Sequence, residues 1–192
     1  MSHYYSEKQE SHFKPYIIQH DEYEFFSSSG VFSKDKVDKA SLLLATKATL
    51  PLKGKVLDLG CGIGVIGILL KKRNKNLEIT FSDVNERALK LTRMNLEKNN
   101  TEGIVKKSHL YNNIKDEYDL IISNPPIAAG RELCYKLIQD SKKHLKKEGS
   151  LQIVARHKKG GEMLSKKIKE VFNNCEEVGR SSGFRIYKGV KN

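Results

Sequence analysis

Around residues 55–64 a short apolar run, Lys55-Val56-Leu57-Asp58-Leu59, opens without a linker into Gly60-Cys61-Gly62-Ile63-Gly64 and then into a helix-like stretch. Three glycines at alternate positions admit backbone angles closed to other residues, so the chain can turn sharply and pass close to a ligand. A strand feeding a helix through so tight a turn begins a β–α–β unit, whose crossover returns to a parallel neighbour. The rest of the chain repeats the alternation. Its apolar patterning predicts strands over 55–59, 77–82, 104–107, 118–123 and 150–155, and helices over 63–73, 86–99, 131–147 and 162–172. Two further β-like segments, 176–179 and 184–189, flank Ser181-Ser182-Gly183 as a terminal hairpin. Alternation of this kind implies an α/β fold with a mostly parallel sheet covered by helices on both faces, the hairpin adding an antiparallel edge. Upstream, residues 16–19 and 23–28 are β-like, and Asp35 stands where it could cap a helix running to about Thr49. With no internal repeat and no low-complexity linker, the expectation is one domain over 36–192, with 1–35 as an N-terminal extension packed on it.

Ligands of such sheets lie beyond the carboxyl ends of the strands, which puts the glycine loop at the site. Gly62-x-Gly64-x-x-Gly67 formally matches the dinucleotide fingerprint. Two carboxylates argue otherwise. Asp58 lies just before Gly60, and Asp83 closes the next strand. Asp58 would repel a pyrophosphate. S-adenosylmethionine brings no phosphate but an ammonium, a sulfonium and ribose hydroxyls, so Asp58 suits its cationic end, directly or through water. Asp83 would accept from the ribose hydroxyls. Cys61, inside the loop, is expected to pack and to lend its backbone amide. The plainer alternative is a tight strand-to-helix turn, with Asp83 capping the following helix.

The strand over 118–123 runs into Asn124-Pro125-Pro126-Ile127. Two prolines remove two backbone donors and stiffen the loop, leaving carbonyl oxygens and the Asn124 amide at the end of a central strand. A patch rich in acceptors suits an amino or amide –NH₂ group. Holding that nitrogen in line with a sulfonium methyl is largely positioning, and carbonyls stabilise the positive charge that grows on it. A proline turn that merely ends the strand is the alternative.

The formal charge of +12 is uneven: residues 140–192 hold 14 Lys and Arg against 6 Asp and Glu. Such a segment would attract a phosphate backbone, although solvated helix faces give the same composition. Lys158 and Lys159, just past a strand end, are better placed for phosphate contact than Lys166 and Lys167 on a helix face. Tyr4, Tyr5, Phe25, Phe26 and Phe32 could stack on bases or pack the N-terminal segment. The longest apolar run, residues 63–70, is far short of a membrane span, and the N-terminus has no secretory pattern. Three unpaired cysteines fit a reducing cytoplasm. The six histidines lack metal-ligand spacing, so no metal is expected.

Together, these residues resemble the small-domain methyltransferase family that includes the 16S ribosomal RNA guanine-N2 (RsmC-like) methyltransferases. The likeness runs through Ser29-Gly30-Val31-Phe32-Ser33, the loop 57–64, Asp83-Val84-Asn85, and Asn124-Pro125-Pro126-Ile127 followed by Gly130. It implies a Rossmann-like class I methyltransferase sheet of seven strands, S-adenosylmethionine as donor, and a guanine amino group in ribosomal RNA as acceptor. By that likeness Asp58, Gly60, Cys61, Gly62, Gly64, Asp83, Val84, Ser108, His109, Phe32 and Asn124 surround the cofactor. Asn124, helped by the Pro125 carbonyl and by Pro126 and Ile127, holds the target nitrogen. The chain departs from the family twice. Ile127 stands where amino-methylating enzymes often carry an aromatic that stacks on the base, and His109 stands where relatives often carry Asp against the adenine amino group. Longer members carry a duplicated N-terminal domain, so RNA selection here would rest on the basic C-terminal part or on a partner chain.

The expectation is therefore a cytoplasmic N-methyltransferase acting on ribosomal RNA or the small-subunit particle, as a monomer or homodimer. Two alternatives stay open. One is glutamine methylation of a protein, which presents the same –NH₂; the other is a non-catalytic RNA-binding or ribosome-assembly protein that keeps the pocket.

Overall fold

The computed structural model describes residues 13–31 and 36–192. Phe32 and Asp35 lie outside them, as do Tyr4 and Tyr5. The described chain starts with a hairpin of β1 (Tyr16–His20) and β2 (Tyr23–Ser27), followed by helix α1 (Lys39–Lys47). Then come β3 (Gly54–Leu59), α2 (Val65–Arg73), β4 (Leu77–Asp83), α3 (Glu86–Lys98), β5 (Ile104–Lys107) and β6 (Tyr118–Ser123). The chain closes with α4 (Arg131–Ser141), β7 (Leu145–Arg156), α5 (Glu162–Phe172), β8 (Glu176–Ser181) and β9 (Phe184–Val190).

Seven strands form one sheet in the order β5-β4-β3-β6-β7-β9-β8. The first five are parallel, and β9 and β8 complete it antiparallel. The order reverses at β3, whose neighbours are β4 and β6, and this opens a crevice above the carboxyl ends of those three strands. Central strands are buried on both faces, which is why β3 and β6 read as continuous apolar runs and not as alternating ones. Val56 and Ile122 face one core layer with α1, α2 and α3, while Leu57 and Ile121 face the other with α4 and α5. The β1–β2 hairpin lies on α3. Asn95 accepts from the Phe26 amide at 2.6 Å and donates to its carbonyl at 3.1 Å, and Asn99 donates to the Glu24 carbonyl. No helix among the described residues is long and apolar enough to cross a membrane.

Three of the shifts from the expected boundaries have a plain local cause. The helix start falls on Asp38, whose carboxylate accepts from the Ser41 amide as an N-cap. Helix α2 begins at Val65 because Gly64 holds a left-handed conformation. Helix α4 stops at Ser141, six residues early: Lys142–His144 tighten into a 3₁₀ turn, and Leu145 to Lys147, expected to extend the helix, become the start of β7. There Leu145 pairs with Tyr118, and Glu148 takes a positive φ across an irregularity in the β6–β7 register. Sheet pairing overrides the helix preference of Lys and Glu.

Candidate active site

The glycine loop sits at the top of β3, and four of its five amides bond within the protein. The Gly60 and Cys61 amides both bond the Ser82 carbonyl at the end of β4, at 2.8 and 3.0 Å. The Gly62 amide bonds Asp83 Oδ2 at 2.9 Å, and the Gly64 amide bonds the Cys61 carbonyl. Gly60, Gly62 and Gly64 all have positive φ, the conformation in which glycine is favoured. Thr92 on α3 donates to the Gly62 carbonyl at 2.8 Å and pins the loop from below. The expectation that Cys61 lends its amide to a ligand is corrected, since that amide serves β4. Its buried thiol packs beside Thr92, and burial pushes its pKa well up.

Asp58 is placed differently from the sequence reading. It is fully buried under the loop, accepts from the Gly67 amide at 2.9 Å, and does not line the crevice. It clamps the first turn of α2 and cannot touch a ligand directly. Burial pushes its carboxyl up to about 7, with the Gly67 hydrogen bond opposing and the negative charge of Asp83 adding to the rise. Its other oxygen has no hydrogen-bond partner, so any charge it carries is felt across the loop. Asp83 does reach the crevice. Its Oδ1 accepts from the Asn85 amide at 2.9 Å, and its two oxygens keep lone pairs for further donors. Asn85 itself caps α3, so the alternative in which Asp83 merely caps that helix does not hold.

Beyond β6 the two prolines lead into a 3₁₀ turn over Ile127–Ala129. Its amides use the carbonyls that the sequence left free. Ile127 N–H bonds the Pro125 carbonyl at 2.9 Å, and Ala129 N–H bonds that of Pro126 at 2.8 Å. The Pro125 carbonyl is therefore a shared acceptor, and the Asn124 side chain becomes the principal one. Asn124 Nδ2 donates to Asp38 Oδ2 at 3.0 Å and to Ser41 Oγ at 3.1 Å, both at the start of α1. Ser123 Oγ donates to the Leu59 carbonyl at 2.7 Å, joining the ends of β6 and β3.

Between loop and rim lies a largely apolar cavity of about 310 Å³. Of the predicted residues it gathers Gly60, Cys61, Gly62, Asp83, Val84, Ser108, His109, Asn124, Pro125 and Pro126 along its walls. Gly64 and Ile127 stand behind them; Ile127 packs against Gly160 of the turn after β7, where an added Cβ would lie 3.1 Å away. Ser108 turns its hydroxyl inward, donating to the Leu110 carbonyl. No Lys or Arg is among the lining residues. Sequence reasoning missed the apolar floor of Ile63, Val65, Ile66, Leu133 and Leu137, and it missed Ser41 and Asp38. The Asp38-x-x-Ser41 spacing of a helix cap was the available signal.

Residues 22–188 match the family model described as methyltransferase small domain. The chain is 36% identical to the Bacillus subtilis protein YbxB over 98% of both chains. It is also 39% identical to ribosomal RNA small subunit methyltransferase C of Haemophilus influenzae, over 87% of this chain and 51% of that protein. The present chain thus spans about half the length of such methyltransferases. Among solved structures it resembles the T. thermophilus 16S rRNA N2 methyltransferase (RsmC) in complex with AdoMet and guanosine. That match has a TM-score of 0.77 at 22% identity, covering 93% of this chain and 50% of that one.

Proposed function

Since the chain belongs to the methyltransferase small-domain family, we propose that it transfers a methyl group from S-adenosylmethionine to an exocyclic amino nitrogen, guanine N2 of ribosomal RNA. The observation that carries this reading is the charge and donor pattern of the crevice. The four loop amides at Gly60, Cys61, Gly62 and Gly64 are already bonded within the protein, no Lys or Arg lines the cavity, and Asp83 faces it with Asp58 buried behind. A pyrophosphate would find few donors and an opposing charge there, whereas an ammonium or sulfonium gains from both. The residues present therefore fit S-adenosylmethionine. Asp83 would accept from its ribose hydroxyls, Val84, Ser108 and His109 would border the adenine, and the loop would border the methionine part. The bound group supplies an electrophilic methyl on sulfur.

The protein's part is positioning and exclusion of water. Asn124 lines the cavity with its Nδ2 bonded to Asp38 and Ser41, so its Oδ1 is left to accept a hydrogen of the target –NH₂ and direct the nitrogen lone pair into the crevice. Oxygen dipoles at the rim stabilise the positive charge that develops on the nitrogen. Among the described cavity residues no side chain is arranged as a strong base at the rim, so the methylated nitrogen, made acidic by alkylation, sheds its proton to water.

The relatives' printed names support RNA as the acceptor. So does the placement of free basic groups. Many of the C-terminal basic side chains are paired with acidic ones, as in Lys166 with Glu162, Lys167 with Glu170 and Arg185 with Glu177. Lys158 and Lys159 pair with no described acidic residue, and their turn touches Ile127. The test is to incubate the protein and labelled cofactor with ribosomal RNA from cells lacking it and to map the label. Label at a guanine N2 is expected. Label on a protein glutamine would select the alternative substrate, and no transfer to either would overturn the reading.

A further inference from the structure

The acceptor rim depends on a contact between segments more than eighty residues apart. Asn124 Nδ2 donates to Asp38 Oδ2 and to Ser41 Oγ, at 3.0 and 3.1 Å. The same Asp38 oxygen also accepts the Ser41 backbone N–H at 2.8 Å and the Ser41 hydroxyl at 3.2 Å. A backbone N–H can only donate, so this oxygen is an acceptor. The Ser41 hydroxyl, with its proton directed there, offers Asn124 its lone pairs. Both groups facing the Asn124 amide are therefore acceptors, and only the –NH₂ end of the amide can meet them. Turning the amide over would set its oxygen against the Asp38 carboxylate and break that contact, and the Ser41 hydroxyl could follow it only by giving up its own bond to Asp38. Ser41 and Asn124 both line the cavity, and among the described residues no donor reaches Asn124 Oδ1.

We propose that Asp38 and Ser41 are positioning residues that lock the Asn124 amide with its oxygen toward the crevice, so that the site selects a nitrogen still carrying hydrogens. The proposal deepens the reading of this crevice as an N-methyltransferase site and rests on it. A fixed acceptor welcomes an amino or amide –NH₂ and repels a ring nitrogen lone pair or a carbonyl. Because the oxygen is already oriented, no rearrangement accompanies the reaction. The lock also gives the start of α1 a role that its helix cap alone would not.

Three variants separate the lock from the cap. Asp38→Ser keeps a good N-cap, but its one short hydroxyl cannot also hold the amide. Asp38→Asn keeps an oxygen for both Ser41 and Asn124, and Ser41→Ala removes one acceptor with the cap intact. In ¹H–¹⁵N spectra the Asn124 side-chain protons, identified by their loss in Asn124→Ala, should exchange slowly in the wild type and in Asp38→Asn. They should exchange fast in Asp38→Ser and at an intermediate rate in Ser41→Ala. In methyl transfer, Asp38→Ser should lower kcat about ten- to a hundredfold with cofactor affinity changed less than about twofold, and Asp38→Asn should restore most of the loss. Placed in the Asn124→Ala background, Asp38→Ser should have no further effect on kcat. Wild-type Asn124 protons that exchange like those of an exposed asparagine would overturn the lock. An Asp38→Ser effect of equal size in both backgrounds would overturn it too. Slow exchange in a wild type that methylates no RNA would support the lock and sink only the RNA reading.

Discussion

The two ends of the crevice are built by different means. At the β3–β4 end the walls are backbone: glycines in positive φ, amides spent on the Ser82 carbonyl and on Asp83, and a carboxylate buried beneath. At the β6 end the decisive group is one side-chain amide, Asn124, steadied by α1 across the crevice. The first end is shaped by conformations that most side chains cannot adopt. The second is shaped by a small triangle of hydrogen bonds in a half-buried place. Damage to the first should appear in cofactor binding and stability, and damage to the second in turnover.

Asn124→Ala breaks the comparison at its most sensitive point. It should lower kcat about 10²- to 10³-fold, as loss of a charge-stabilising group does, with cofactor affinity by calorimetry close to wild type. Near-normal turnover on a verified substrate would remove Asn124 from the reaction. Gly64→Ala attacks the other end. The left-handed conformation should cost about 1–2 kcal/mol, and the new Cβ would lie 2.9 Å from Thr92 Cγ2, displacing the residue that pins Gly62. Its melting temperature should fall further than that of Gly62→Ala, whose added carbon meets no protein atom and leaves only the conformational cost to stability, while cofactor affinity should fall in both, since both glycines belong to the loop. Equal behaviour of the two variants would refute the pinning role of Thr92.

Asp58 sharpens the comparison through pH. Its folded carboxyl is raised to about 7 from an ordinary 3.8, so the folded state holds its proton longer than the unfolded state. The cofactor-free wild type therefore loses stability as pH rises from the unfolded value toward about 7, with no further loss above it. Asp58→Asn keeps an acceptor for the Gly67 amide and removes the buried charge. Its stability advantage in urea unfolding should grow by less than about 1.4 kcal/mol from roughly pH 6 to roughly pH 7 and then level off. An advantage independent of pH would mean that the carboxyl is not perturbed. The mildest effect belongs to Lys158→Ala with Lys159→Ala. Each should lower the slope of log RNA affinity against log salt by about one, and kcat at saturating RNA should not move. An unchanged slope would place the RNA elsewhere.

Much of the cofactor end was legible in the sequence because its determinants are contiguous. Asp58 through Gly64 and Asp83 name their own turns, and the strands at 104–107 and 118–123 fall where the apolar runs put them. Local patterning failed where a long-range contact outranked it. Residues 142–147 favour helix by composition, yet Leu145 pairs with Tyr118 and the helix ends at Ser141. Asp58 was visible as a carboxylate beside the loop, but which side of β3 it faced depended on helix α2 packing above it. The proline carbonyls looked free in sequence, and only the 3₁₀ turn showed two of them in use.

The sequence by itself determined the alternating α/β class, the glycine-lined turn at the first central strand and the proline-stiffened segment Asn124-Pro125-Pro126 at the end of β6, because each follows from residues adjacent along the chain. Only the tertiary structure decided that Asp58 lies under the loop, that four of the loop amides are spent, and that the start of α1 meets the Asn124 amide. Those outcomes depend on groups brought together from different strands and helices. Hydrogen bonds at about 3 Å are settled by packing and not by neighbourhood in sequence.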